Sequence, residues 1–278
     1  MDRRQPGTPE FDAGHAQGPG GERAPQFPAA RASGYGQHLT GRFDAFAEQA
    51  RDAAAQGAQV IYSPEMMFNF DPQVEYTEQF RALAKETSAY LFITYSVGIE
   101  GQPWRNESVM LSPEGEFSQV YGKNHTWLIG EPNTPSAGVF PVYDTPLGKL
   151  AGLICHDANY TDIARKLTAN GAQIIAAPYR EFGGFGEQAW TNALFRAVEN
   201  RTAVVISGVA TVSGIMNPDG SLVALDTDIN GSRVTLVGDV TLGSGPYTLH
   251  FPWATFWVGL RWRVTSSSCS IRRWWRSG

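Results

Sequence analysis

The chain reads as an α/β protein in which two sheets stack between layers of helix. Three observations lead there. Helix-like and strand-like segments alternate through the middle of the sequence. Three strand-like runs end at or near chemically capable side chains, Glu65, Lys123 and Cys155. The last third carries closely spaced turn signals between further strand-like runs.

The elements follow in order. Residues 42–56 put Phe43, Phe46, Ala47 and Ala50 at helical spacing, and a strand-like run, 58–63, comes after them. Residues 74–88 predict a second helix, with Phe80, Leu83 and Ala84 on one side. Strand-like runs follow at 90–97, 107–111 and 117–121. Residues 148–155 predict a strand ending on Cys155, and 160–169 the helix behind it. A buried strand at 173–177, a helix at 188–201 and a strand at 203–207 continue the alternation. Between 211 and 240, Asn217-Pro218-Asp219-Gly220 and Asn230-Gly231 separate strand-like runs, which predicts hairpins. There is no internal repeat and no sign of a second domain.

Composition narrows the function. A chain of 278 residues, 42% hydrophobic and 18% charged, suits one globular domain with ample material for a core. A net charge of −5, with no basic stripe in the central region, argues against a nucleic-acid partner. Two cysteines do not make a disulfide framework and fit a reducing compartment, so a cytoplasmic location is expected. No CxxC or HExxH motif suggests a metal, and no GxGxxG or P-loop suggests a nucleotide, so no cofactor is expected.

The chemistry gathers at the strand ends. Cys155 closes an apolar run, 150–154 (LAGLI), and is followed by His156-Asp157 and a helix-like stretch, 159–170. A strand that stops at a cysteine and turns into a helix can present a nucleophile, with turn amides facing developing negative charge. Taken alone, Cys155 reads better as a small buried apolar residue. Glu65 follows Pro64 directly at the end of a short buried strand, and Lys123 follows the run 117–121, with Glu131 eight residues on. Singly, a loop Glu or Lys is a solvated surface residue. In combination, strand ends carrying Glu, Lys and Cys collect in one crevice of an α/β sheet. The trio is coherent: the carboxylate takes the thiol proton, the ammonium favours the thiolate and an oxyanion, and the sulfur forms a thioester.

With those residues in view, the chain resembles the carbon–nitrogen hydrolase (nitrilase) superfamily, whose catalytic triad is Glu-Lys-Cys. Glu65 in PEMMF, Lys123 in YGKNHTWLIGE and Cys155 in LICHDANYTDIARKL match its three motifs. The resemblance implies a four-layer αββα sandwich of the nitrilase type. It also implies that Glu131 positions the substrate or the base. The His156 backbone N–H, next after the nucleophile, is a candidate oxyanion donor beside Lys123. Within the superfamily, residues 171–205 and 215–222 look like the catalytic domain of apolipoprotein N-acyltransferase. His156-Asp157 stands where that pattern commonly has Tyr-Glu, so Asp157 keeps a carboxylate with a shorter reach.

The expected domain organisation is a disordered segment at 1–40, a carbon–nitrogen hydrolase domain at 41–248, and a tail at 249–278 that is first aromatic and then basic. The first segment is rich in Gly, Pro, Arg and Gln and offers no strand before the first helix, so a central strand is expected to be missing. Residues 249–262 are too few to span a bilayer. Abrupt loss of pattern at both ends suggests a truncated or frame-shifted product of a longer membrane enzyme, beside the plainer reading of an amidase with ragged termini. Cys269, in the tail, has no assigned role.

The expected reaction is cleavage of an amide carbon–nitrogen bond through a cysteine thioester. The alternatives are acyl transfer to an amine and a non-catalytic remnant. The expected partner is a small-molecule amide or acyl donor; the resemblance allows a homodimer through helices near 188–201, and membrane association is left open. Among other positions, the loop 179–186 (YREFGGFG) reads equally as a pocket rim or a plain connection. Arg196 and Glu199, at i and i+3, read as a local ion pair. His125 reads as a hydrogen-bonded loop residue, and Phe68 and Trp127 as core aromatics or pocket walls.

Overall fold

The computed structural model describes residues 26–30, 39–98, 100, 104–127, 131, 134, 136–180, 185–209, 211–227 and 234–244. One sheet contains β1 (Gln26–Ala30), β2 (Val60–Tyr62), β3 (Tyr90–Val97), β4 (Arg105–Leu111), β5 (Tyr121–Gly122) and β12 (Thr235–Asp239), in the order β12-β1-β2-β3-β4-β5. The other contains β6 (Val142–Thr145), β7 (Gly148–Gly152), β8 (Ile174–Arg180), β9 (Ala203–Val209), β10 (Ser213–Met216) and β11 (Leu222–Asp226), in the order β11-β10-β9-β8-β7-β6. The β1–β2–β3 and β7–β8–β9 neighbours are parallel, and the outer pairs are antiparallel. Helices α1 (Leu39–Ala55) and α2 (Thr77–Thr87) serve the first sheet; α3 (Thr161–Ala169) and α4 (Gly186–Asn200) serve the second.

Side-chain alternation explains the layers. In β2, Val60 and Tyr62 face the other sheet while Ile61 faces the helices. In β8, Ile174 and Ala176 point between the sheets while Ile175 and Ala177 point to α3 and α4. These strands are buried on both faces, which is why they read as unbroken apolar runs rather than as alternating ones. The helices contribute single stripes: Phe46, Ala47, Ala50 and Ala53 on α1, and Ala189, Ala193 and Ala197 on α4. The small residues of α4 let that helix lie close to its sheet. Gly152 does the same between sheets, since a Cβ there would collide with the Phe92 ring.

Several expectations change. A strand does precede the first helix: β1 lies inside the segment expected to be disordered, pairs with β2 and β12, and supplies the central strand expected to be missing. Pro28, opposite Val237, offers no ladder N–H, so the segment carries a weak strand signature and depends on its neighbours. The run 117–121 is not a continuous strand. Ser118 Oγ accepts the Met110 N–H at 3.0 Å and interrupts the ladder, leaving a Phe117–Leu111 bridge and the two-residue β5. The first late hairpin forms, β10 with β11, but β12 crosses to the other sheet instead of pairing with β11. Strand β6 was not anticipated. Residues 1–25, 31–38 and the tail 249–278 lie outside the described residues. Among the described residues no helix is long and apolar enough to cross a membrane.

Candidate active site

Two sheets, rather than one, supply the site. Glu65 follows β2 and Lys123 follows β5, both in the first sheet; Cys155 follows β7 in the second. Each approach is fixed locally. After β2, the Ser63 N–H donates to Phe92 O at 2.9 Å and the Phe68 N–H to Thr94 O at 3.3 Å, so the turn holding Glu65 is tied to β3. Thr94 Oγ1 also donates to Pro64 O. The Lys123 N–H donates to Asn106 O at 2.9 Å, extending the β4–β5 pairing to the lysine itself.

The nucleophile strand ends earlier than the sequence predicts. β7 stops at Gly152, and Cys155 opens a one-turn 3-10 helix, Cys155–Asn159. Cys155 has φ +48°, in the left-handed region. Of the five non-glycine residues with positive φ among the described residues, Tyr76, Ser88 and Arg201 cap helices. The other two, Met66 (φ +52°) and Cys155, stand beside Glu65 and at the candidate nucleophile. Such backbone costs about 1–3 kcal/mol per residue and persists where surrounding structure enforces it, characteristically at functional sites.

Asp157 does the enforcing. It is fully buried, and its Oδ2 accepts from Tyr121 Oη at 2.6 Å and from the Ile154 N–H at 3.0 Å. Its Oδ1 accepts the N–H groups of Asn124 at 3.1 Å and His125 at 2.7 Å. One carboxylate therefore clamps the cysteine turn to the loop that follows Lys123, across the two sheets. Burial pushes its pKa up, against those hydrogen bonds and the attraction of Lys123.

Glu65, Lys123 and Glu131 lie together. Lys123 Nζ lies 2.9 Å from Glu65 Oε1, and 3.0 and 2.9 Å from Glu131 Oε1 and Oε2. Lys123 is 2% exposed and Glu65 3%, so these charges face one another in a poorly solvated space. Burial pulls the Lys123 pKa down, but Glu65, Cys155 and Glu131 outweigh it and the net direction is upward. Lys123 thus stays an ammonium, and Cys155 lies near enough to act on it electrostatically.

His156 points elsewhere. Its ring stacks on Trp127, with centroids 5.3 Å apart, and Nδ1 sits 3.3 Å from His125 O. Trp127, His156, Asn159, Phe185, Gln188 and Ala189 line a cavity of about 190 Å³ beside the nucleophile turn. Trp127 therefore walls the pocket, whereas Phe68 is fully buried in the α1–α2 core. Phe185 brings one end of the loop 179–186 to the pocket; residues 181–184 lie outside the described residues. His125 is hydrogen-bonded, with Nε2 2.9 Å from Asp162 Oδ1. Arg196 pairs with Glu199 at 3.0 Å and also donates to Ala158 O at 3.2 Å, bracing the nucleophile turn.

Sequence reasoning missed Asn106. It is fully buried on β4 and donates from Nδ2 to Glu65 Oε1 at 2.9 Å and to Glu131 Oε1 at 2.7 Å. The available signal was an amide in a run of otherwise strand-like residues, immediately before the predicted start at 107.

Residues 30–244 match the family model for carbon-nitrogen hydrolase. The chain belongs to the carbon-nitrogen hydrolase family. A formamidase from Allorhizobium ampelinum is 30% identical over 190 residues, covering 63% of this chain and 54% of the relative. One from Pseudomonas syringae pv. tomato is 33% identical over 122 residues, 43% and 35% of the two chains. This chain thus spans about half or less of these relatives' length. An amidase from Nesterenkonia sp. superposes with TM-score 0.71 at 20% identity, covering 84% of this chain and 95% of that one. A cysteine-to-alanine mutant of the Nesterenkonia sp. AN1 amidase in complex with butyramide gives 0.70 at 19%, covering 78% and 91%. These structures share the family's fold, four layers of helix, sheet, sheet and helix in this chain.

Proposed function

We propose that this chain hydrolyses the carbon–nitrogen bond of small amides through a thioester on Cys155. The observation that carries the reading is the buried Lys123 ammonium, held between Glu65 and Glu131 next to a cysteine in left-handed backbone. Such a cluster suits acyl transfer. Glu65 accepts the thiol proton as Sγ attacks the carbonyl carbon, and the carbonyl oxygen becomes an oxyanion facing Lys123 and the His156 N–H. Collapse of the tetrahedral intermediate breaks the carbon–nitrogen bond, and Glu65 returns the proton to the departing amine. Water then attacks the thioester, loses a proton to Glu65, and the acid leaves as that proton returns to sulfur. Glu131 holds Lys123 and takes no proton.

Formamidase relatives support amides as the substrate class, and they favour water over an amine as acyl acceptor. The proposed location is the cytoplasm, supported by Cys155 standing as a buried thiol rather than in a disulfide. Ammonia release measured over a series from formamide to butyramide and benzamide tests the reading. Activity should fall roughly 10²–10⁴-fold in Glu65→Gln and be lost in Cys155→Ala. Full activity in Cys155→Ala would overturn it. Product formation only when an amine acceptor is added would move the assignment to acyl transfer.

A further inference from the structure

We propose that Asn106 is the positioning residue that selects which oxygen of Glu65 serves as the base. This rests on the roles proposed above for Glu65, Lys123 and Cys155. Two buried carboxylates share one small set of donors. The Asn106 amide nitrogen carries two N–H groups, and both are used, one on each Oε1. Glu65 Oε1 also accepts from Lys123 Nζ, which fills its two acceptor sites. Among the described residues, no donor reaches Glu65 Oε2, which is left to take a proton.

Glu131 is different. Its Oε1 accepts from Asn106 and Lys123, and its Oε2 from Lys123 and the Trp127 N–H at 2.8 Å. All four of its acceptor sites are taken. A single amide thus makes two chemically identical side chains unequal, one a base and one a strut. It does so at a cost, because Asn106 Oδ1 is buried with no partner among the described residues. An acceptor left unsatisfied inside a fold calls for a reason, and filling space is not one, since leucine has nearly the same shape.

The test compares Asn106→Leu, which keeps the volume and removes the donor, with Asn106→Ala, which opens room for a donating water. Acyl-enzyme formation on Cys155 is followed by rapid-quench mass spectrometry with butyramide, alongside kcat, KM and their pH profiles. Asn106→Leu should slow acylation roughly 10- to 100-fold: of the two hydrogen bonds it removes, the one to Glu65 acts on the charged base. KM should change little. Asn106→Ala should retain more activity than Asn106→Leu, and the acid limb of kcat/KM should move to higher pH in both, further in Asn106→Leu, because the ionised base has lost an oriented donor that a water replaces only in part. A packing role predicts the opposite order, the cavity variant being the worse. That order, or a wild-type rate and pH profile in Asn106→Ala, would overturn the proposal. If Asn106→Leu does not fold, the rate and pH profile of Asn106→Ala decide alone. A wild-type protein that never acylates contradicts the site reading and this inference together, whereas an active wild type with unaffected variants contradicts only the inference.

Discussion

At the scale of single residues, the site is one ammonium serving two carboxylates. Lys123 has three N–H groups and three carboxylate oxygens within reach. Removing it leaves two buried negative charges without their partner, and breaking a buried pair that way costs about 3–5 kcal/mol. Lys123→Ala is therefore expected to lose stability as well as turnover, seen as a lower denaturant midpoint. Glu65→Gln, nearly isosteric, should lose turnover with a much smaller change in midpoint. Equal midpoints for Lys123→Ala and wild type would show that the lysine is not buried between charges. Glu65, Lys123 and Cys155 could be picked out in the sequence because each follows a recognisable apolar run, and Glu131 through its place eight residues beyond Lys123 and the family resemblance. Asn106 could not be, since an amide on a strand carries no signal of what lies across from it. Asp157 was visible as a carboxylate, but its four donors come from loops that only the fold brings together.

At the scale of elements, the loop after Lys123 is moored to the start of α3. His125 stacks on Tyr160 at 4.0 Å and bonds Asp162, which also pairs with Lys166 at 3.0 Å. Partial burial raises the Asp162 pKa, but His125 and Lys166 outweigh it and hold the carboxyl below its ordinary value. A carboxylate depressed in the fold contributes stability above its unfolded value and loses it as pH falls through the folded one. Wild type should therefore exceed Asp162→Asn in stability near neutral pH, with the gap closing below about pH 4. Urea titrations of both proteins at several pH values check this; a gap that widens on acidification would contradict it. Strand β1 shows what local reading cannot reach. Its Pro28 argues against a central strand, and pairing with β2 and β12 overrides that argument.

At the scale of the whole molecule, the site exists because two sheets meet. Layering was legible because strands buried on both faces leave apolar runs and helices leave single stripes. Which sheet each strand joins was not legible. β12 follows a turn signal yet crosses to the opposite sheet, since pairing beside β1 is decided by distant residues. Close approach of the sheets depends on Gly152 meeting Phe92. Gly152→Ala should destabilise the fold by about 1–3 kcal/mol through overpacking. Phe92→Leu in the same chain should recover part of that loss, a coupling measurable by a double-mutant cycle in denaturant. Strictly additive effects would mean that the two sheets are not in contact there.

Whether Cys155 carries the acyl group is decided by intact-protein mass spectrometry of wild type and Cys155→Ala, quenched in acid during turnover of butyramide. A butyryl adduct is expected on wild type that maps to Cys155, disappears as substrate is exhausted, and is absent from the variant. An adduct on another residue, or amide hydrolysis by folded Cys155→Ala at the wild-type rate, would contradict it.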